Sequence, residues 1–534
     1  MKFIVMSDLH YQGEGVVKNS EKGRFDRLVS RQALLDAASF DDIDTILIHG
    51  DLTDHGERES HRELITLLRE IKAMGKRVFV TTATHDFNHH KLCQEKPDDR
   101  GKKLKENHPV LSPFIDFDGE GIRKYLKGEF ADISEEEIFS SFSPCVTPEE
   151  LWQLYRDFGP NEAYSVEESS FSYCVDLDDK TRCLMLNDLF RNEEALEDKS
   201  ASYSPTCFRW IDKMVKEAKR DGKFIFACTH HPLVPPSPAY RIGAGNRDMR
   251  SPYTAHTLAD IGIRLAFTGH THFSNIVFAS SPKGNVLCDI TTPSPRFYPP
   301  CYRVVDLEGQ SGKIQYECVD VTLPAGCKIK ESTLREHYKK IIINDYKSGI
   351  VEKPLNEKLS NIKVKNLALV LRPLAKLSEK EYEEIKEEKL FDIIMEAAMN
   401  MVAGDGSFTP GTPQYKLLMS LATFLDSVID AQPFVNVNKY LKGYTVKEIM
   451  EPLCFNNYES DNKGEIDFTR LPEKRINTSF DKSCAGDIVM AIIYALSLAL
   501  SRFSTVILGI GIPALTAAKK IRLKNQPHKP EYEY

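Results

Sequence analysis

The chain has 534 residues, 41% hydrophobic and 28% charged, with a net charge of −8. That balance is the one expected of a soluble globular protein with enough chain for two or more domains. It argues against a protein built mainly to coat nucleic acid or an anionic membrane. The 12 cysteines are scattered without any C-x-x-C spacing, so no disulfide or zinc-cysteine framework is expected and a reducing, cytoplasmic setting is favoured. The first apolar run, residues 3–6, is too short for a signal peptide.

In chain order, residues 2–7, 45–48 and 77–82 read as strands, separated by helical patterns at 25–39 and 57–74. This alternation predicts βαβ units and a mainly parallel sheet. A polar insertion covers about 93–168, in which Thr147-Pro148-Glu149-Glu150 opens a helix with a capping box. Strands resume at 172–177, 183–186, 224–229 and 265–268, and 286–290, 302–307 and 313–319 read as an antiparallel finish. Beyond about residue 325, amphipathic helices are predicted at 334–345, 378–401 and 415–429, with Ser378 and Glu381 as a capping box. The expected division is therefore a domain over 1–320 and a mainly helical domain over 330–534. The apolar stretch 488–518 is split by Arg502 and punctuated by Gly509, Gly511 and Pro513. Two core helices are favoured there over contact with a membrane.

The chemistry gathers at strand ends. The first strand finishes in Asp8-Leu9-His10, and the second runs into Gly50-Asp51-Leu52-Thr53-Asp54-His55-Gly56. The third finishes in Ala83-Thr84-His85-Asp86, a later one in Thr229-His230-His231-Pro232, and the last in Gly269-His270-Thr271-His272. Any one of these could be a cap or a turn. Five together put carboxylates and imidazoles at the edge where open α/β sheets bind ligands. Mixed nitrogen and oxygen donors suit Mn, Fe, Zn, Ni or Co better than Ca or Mg.

The ordered set D-x-H, G-D-x-x-D-x-G, H-D, H-x-P and G-H-x-H resembles the calcineurin-like metallophosphoesterase superfamily over about residues 1–319. The resemblance implies a layered α/β/β/α sandwich and a centre of two divalent cations. Carried over, Asp8, His10 and His272 hold one cation, Asp51 bridges, and His230 and His270 hold the second. Thr84 stands where the family has an Asn ligand, and Ala83 where it has Gly. A hydroxyl is a poorer neutral ligand than an amide carbonyl, so a weaker or water-completed second site is expected. His85 would sit near the leaving oxygen, supported by Asp86. Two cations roughly 3.5–4 Å apart lower the pKa of a shared water and orient the phosphoryl group for in-line attack by metal-bound hydroxide. His85 would protonate the leaving alkoxide. There is no G-x-S-x-G and no C-x₅-R, so no covalent nucleophile is expected.

The expected activity is metal-dependent hydrolysis of a phosphate ester, with a small-molecule phosphodiester preferred. The alternative is a metal-binding or scaffold module of the same fold whose catalysis has decayed at Thr84. Asn187-Asp188 could reach the residues behind the ligands, but a strand-end turn is the favoured role, and His49, His55, His89, His90 and His231 are expected to be outer or surface imidazoles. Arg241, Arg247 and Arg250 lie in a Gly- and Pro-rich loop that could grip phosphate, although solvated charge is the commoner role.

Overall fold

The computed structural model describes residues 1–87, 134–141, 145–167, 169–188, 201–234, 253–309, 312–349, 361–405, 408, 411–430 and 461–468. Its strands are β1 (Lys2–Met6), β2 (Thr45–His49), β3 (Arg77–Thr81), β4 (Ser165–Glu167), β5 (Ser172–Asp178), β6 (Thr181–Met185), β7 (Phe224–Cys228), β8 (Leu265–Thr268), β9 (Asn275–Ser280), β10 (Val286–Thr291), β11 (Cys301–Glu308), β12 (Lys313–Asp320) and β13 (Lys463–Asp467). They form two mixed sheets, ordered β13-β12-β11-β1-β2-β3 and β4-β5-β6-β7-β8-β10-β9. Two sheets are what the α/β/β/α sandwich implied by the resemblance requires, whereas the alternating pattern alone suggests one mainly parallel sheet. Only β1–β2–β3 and β6–β7–β8–β10 pair in parallel. The strand predicted at 286–290 is not part of an antiparallel finish: β10 runs parallel to β8 and antiparallel only to β9.

The layered α/β/β/α sandwich follows from strands buried on both faces. Phe3, Val5, Leu47 and Phe79 of the first sheet meet Met185, Phe226, Phe267 and Ile290 of the second in one apolar layer. The alternate residues Ile4, Met6, Ile46, Ile48, Val78 and Val80 face the helices Glu21–Ala38 and Arg58–Ala73. On the other side Ala227 and Ala266 pack against the helices Pro205–Arg220 and Thr254–Ile261. Each short apolar run is therefore continuous because both faces are covered, and each stops where the chain leaves the sandwich at the rim.

Within the insertion, the helix Pro148–Leu154 has the predicted capping box between Thr147 and Glu150. Glu150 also takes a buried, two-pronged ion pair from Arg58, at 3.0 Å on each prong, which docks the helix on Arg58–Ala73. Residues 93–133 lie outside the described residues, as do His89, His90, Arg241, Arg247, Arg250 and the stretch 488–518. Among the described residues no helix is long and apolar enough to cross a membrane.

Beyond residue 330 helices span Leu334–Gly349, Ala368–Leu374, Glu379–Ile385, Leu390–Ala403 and Pro413–Asp430. The single helix predicted over 378–401 is two helices. The first has the expected Ser378–Glu381 cap and ends at Ile385. A break follows, where Lys389 forms a bridge with Lys363. The same region adds β13 to the outer edge of β12, and an alternating five-residue run gave too little signal for that strand to be expected.

Candidate metal centre

The two parallel turns after β1 and β2 run side by side, because Asp8, His10 and Tyr11 donate their backbone N–H groups to Gly50, Asp51 and Leu52. The turn after β8 closes against them from the second sheet. His270 N–H donates to Asp8 Oδ2 at 2.9 Å, and a Cβ on Gly269 would strike Ser7 Oγ at 1.9 Å, so only glycine allows this approach. Gly50 has φ +95°, and a Cβ there would meet His230 Nδ1 at 2.4 Å. Two glycines thus bring the rims of two sheets to contact distance.

That convergence bends the backbone. Asp8, His10, Asp51, His270 and His272 all have φ between 43° and 64°, making up five of the seven non-glycine positive-φ residues among those described. Each such conformation costs about 1–3 kcal/mol and persists only where the surroundings enforce it. All five are ligand candidates from the sequence.

Their side chains meet. Asp8, His10 and His272 form one cluster, and Asp51, His230 and His270 another, with ligand atoms within 4.8 Å of one another in each. Asp51 also belongs to a cluster with His10 and His85, so it lies between the two groups. His272 Nε2 is 3.2 Å from Asp8 Oδ1 and 3.1 Å from His10 Nε2, and His230 Nε2 is 3.0 Å from Asp51 Oδ2. His230 Nδ1–H donates to the His49 carbonyl at 3.1 Å, which leaves Nε2 as the free lone pair. Asp8 Oδ1 and His230 Nε2 are buried without a hydrogen-bond partner. Acceptor atoms crowded together in this way require positive charge between them. The donor set fits two divalent cations.

Electrostatics agree. Burial pushes the Asp8 carboxyl up, but His272 and His230 hold it well below the usual carboxylate range. Asp51 is likewise buried and held low, chiefly by His230 and His85. Burial lowers His10 and His230, yet Asp54 and Asp8 draw the first up to about 9, and Asp51 and Asp8 draw the second to about 10. The carboxylates recruit protons onto neighbouring imidazoles, a charge that cations would supply instead.

Thr84 is buried, and its hydroxyl donates to Asp51 Oδ1 at 3.3 Å, so it touches the acid shared between the clusters. His85 N–H donates to the same oxygen at 2.9 Å. The His85 ring packs edge-on to His10 with centroids 4.6 Å apart, and its Nδ1–H donates to the Asp54 carbonyl at 2.6 Å. Burial lowers its pKa to about 4 against the pull of Asp51. The Asp86 carboxylate accepts from Thr53 N–H and Ala83 N–H, so it braces the turn that carries His85.

Residues 1–274 match the family described as calcineurin-like phosphoesterase. The chain belongs to that family. No curated relative matches it. Among solved structures, it is similar to a dimetal phosphatase from Danio rerio at 13% identity, covering 60% of this chain and 99% of that one with a TM-score of 0.35. A purple acid phosphatase from yellow lupin (Lupinus luteus) seeds gives 11% identity, covering 62% of this chain and 52% of that one with a TM-score of 0.33. Metal-dependent hydrolysis of a phosphate ester is the activity of this calcineurin-like phosphoesterase fold, and the clustered donors are consistent with it.

Several residues around the centre were not expected to act there. Asp54 sits 3.2 Å from His10 Nδ1 and accepts from Gln12 at 2.7 Å. Arg296 donates to the His10 carbonyl at 2.7 Å and to Asp54 Oδ1 at 3.4 Å, and Ser294 donates to the Asp8 carbonyl. Phe297 stacks on the His272 ring at 4.5 Å. Asp188 is corrected from a simple turn residue: it is fully buried and accepts from Thr229 Oγ1, His231 N–H and His231 Nδ1–H, fixing the H-x-P turn. His49 and His231 are buried, and His55 is partly so. Asp54 could have been found as the second acid of G-D-x-x-D-x-G. Nothing in the Pro-rich run around Arg296 announces its role.

Proposed function

We propose that this phosphoesterase hydrolyses a phosphodiester at a centre of two divalent cations. Asp8, His10 and His272 would hold one cation and His230, His270 and Thr84 the other, with Asp51 shared. The convergence of five backbone-strained donors on two adjoining clusters carries this reading. The cations, once bound, would supply an activated water and charge withdrawal from the phosphoryl oxygens. In its imidazolium form His85 would give its Nε2 proton to the leaving oxygen, with Nδ1–H held by the Asp54 carbonyl and Asp86 bracing its turn. Asp54 would keep His10 oriented with Nε2 toward the centre.

The diester preference follows the resemblance of the catalytic half to phosphodiesterases of the same superfamily; Arg296, engaged with Asp54 and His10, braces the first cluster.

The test is hydrolysis of an aryl phosphodiester and an aryl phosphomonoester by the full chain, stripped with chelator and resupplied with Mn, Co, Ni, Zn, Fe(II) or Mg singly. Metal-restored diester turnover, lost in Asp51→Asn, is the expected result. Preference for the monoester would overturn the diester assignment. Stoichiometric metal binding without turnover on either ester would favour the decayed binding module.

A further inference from the structure

The turn carrying His270 and His272 is strained at both ligands, so it must be gripped at both ends. Its first end is fixed by the His270 N–H on Asp8. Its second end, Ser274, is held by chain from far beyond the matched residues. Ser274 N–H donates to the Val402 carbonyl at 2.9 Å, and Ser274 Oγ donates to Asn462 Oδ1 at 2.8 Å. Ile276 N–H donates to Asp461 Oδ2 at 3.2 Å, and Asp461 N–H returns to the Gly404 carbonyl at 2.8 Å. Asn462 Nδ2 donates to Asp405 Oδ1, which ties the two late segments together. Gly404 has φ +63°, and a Cβ there would lie 2.6 Å from the Ser274 carbonyl oxygen.

We propose that Gly404, Asp461 and Asn462 are positioning residues for the first cation, holding His272 in place through Ser274. The proposal rests on the two-cation reading above. It gives the region after residue 330 a role at the centre itself. Ser274 and Asp461 are buried, and Arg303 bonds both, through Nη2 to Ser274 Oγ and Nη1 to the Asp461 carbonyl. A shift at either late segment is therefore passed to a residue two positions from a ligand. Among the described residues the second cluster is braced mainly elsewhere: His270 is fixed at its own end of the turn by Asp8, and His230 by His49 and, through its neighbour His231, by Asp188.

The experiment is a Co(II) titration of the metal-stripped full chain by calorimetry and visible absorption, with His272→Ala marking which binding class is the first site. Wild type should bind two equivalents. Asn462→Ala and Gly404→Ala should weaken the class lost in His272→Ala by about 10–100-fold, as outer-shell changes do, and leave the other class unchanged. Melting of metal-free Asn462→Ala should stay within a few degrees of wild type. Unchanged binding in Asn462→Ala, or equal weakening of both classes with a large loss of metal-free stability, would overturn the proposal while leaving the two-cation reading intact. Should Gly404→Ala fail to fold, Asn462→Ala, which removes one half-buried side chain, decides alone. No Co(II) bound by wild type would sink the two-cation reading, and this inference with it.

Discussion

The two clusters of the centre are built from the same materials and supported differently. The first, Asp8–His10–His272, is ringed by Asp54, Arg296 and Ser294 and tied through Ser274 to Val402 and Asn462 and through Ile276 to Asp461. The second, Asp51–His230–His270, leans on the His49 carbonyl and on Asp188 through His231, and has a threonine hydroxyl where the family's amide ligand would be. Ligand type comes from the strand-end motifs, but the stiffness of each pocket comes from residues those motifs do not contain. The first pocket should therefore be tight and specific, and the second looser and more dependent on its solvent.

The sharpest way to break this contrast is to remove what the clusters share. Asp51→Asn should lower metal-restored turnover by about 10³-fold or more, and calorimetry should find both binding classes damaged. Next in size, each pocket should fail separately. Asp54→Ala should weaken only the class marked by His272→Ala, and Asp188→Ala only the other, each by about 10–100-fold. Crossed effects would show that the pockets are one mechanical unit. Cation loading itself should raise the melting temperature, since a ligand at about 1,000 times its Kd stabilises by about 4 kcal/mol; a chelator should reverse the rise.

A smaller gain is expected from Thr84→Asn, which restores an amide carbonyl at the second pocket. Affinity of that class should rise several-fold, by about 1 kcal/mol, and no change would mean that the hydroxyl already does the amide's work. Smallest of all, Lys2→Ala breaks a surface ion pair with Asp42. Stability should barely move, because an exposed pair is screened by solvent, and both titrations should be unchanged, which calibrates the others.

The sequence was informative where chemistry is local. The motifs Asp8-x-His10 and His270-x-His272 were legible as residue types at strand ends, but strand alternation does not bring their side chains together, since all four lie past β1 and β8 with φ between 43° and 64°. The strands themselves were legible since burial on both faces leaves an unbroken apolar run, as in β1 and β2. Pairing direction was not: β10 reads the same whether its neighbour runs parallel or antiparallel. Arg296 was illegible for a different reason. Its partners, His10 and Asp54, are 286 and 242 residues away in sequence, and only the antiparallel pairing of β11 with β1 brings the run before β11 to the same rim. Asp188 looked like a turn residue because a short acid after a strand is one until three donors are found on its carboxylate.

The strand β13 has a consequence for the order of events during synthesis. Until residues 463–467 leave the ribosome, the outer edge of β12 has no partner. At about 5–20 residues per second, that interval lasts roughly 7–30 seconds. A nascent chain held in that state presents a row of unpaired amide and carbonyl groups, the surface on which foreign strands add. This phosphoesterase should thus be most prone to aggregate when translation stalls between β12 and β13, and slow codons or a stop placed in that window should send product to inclusion bodies.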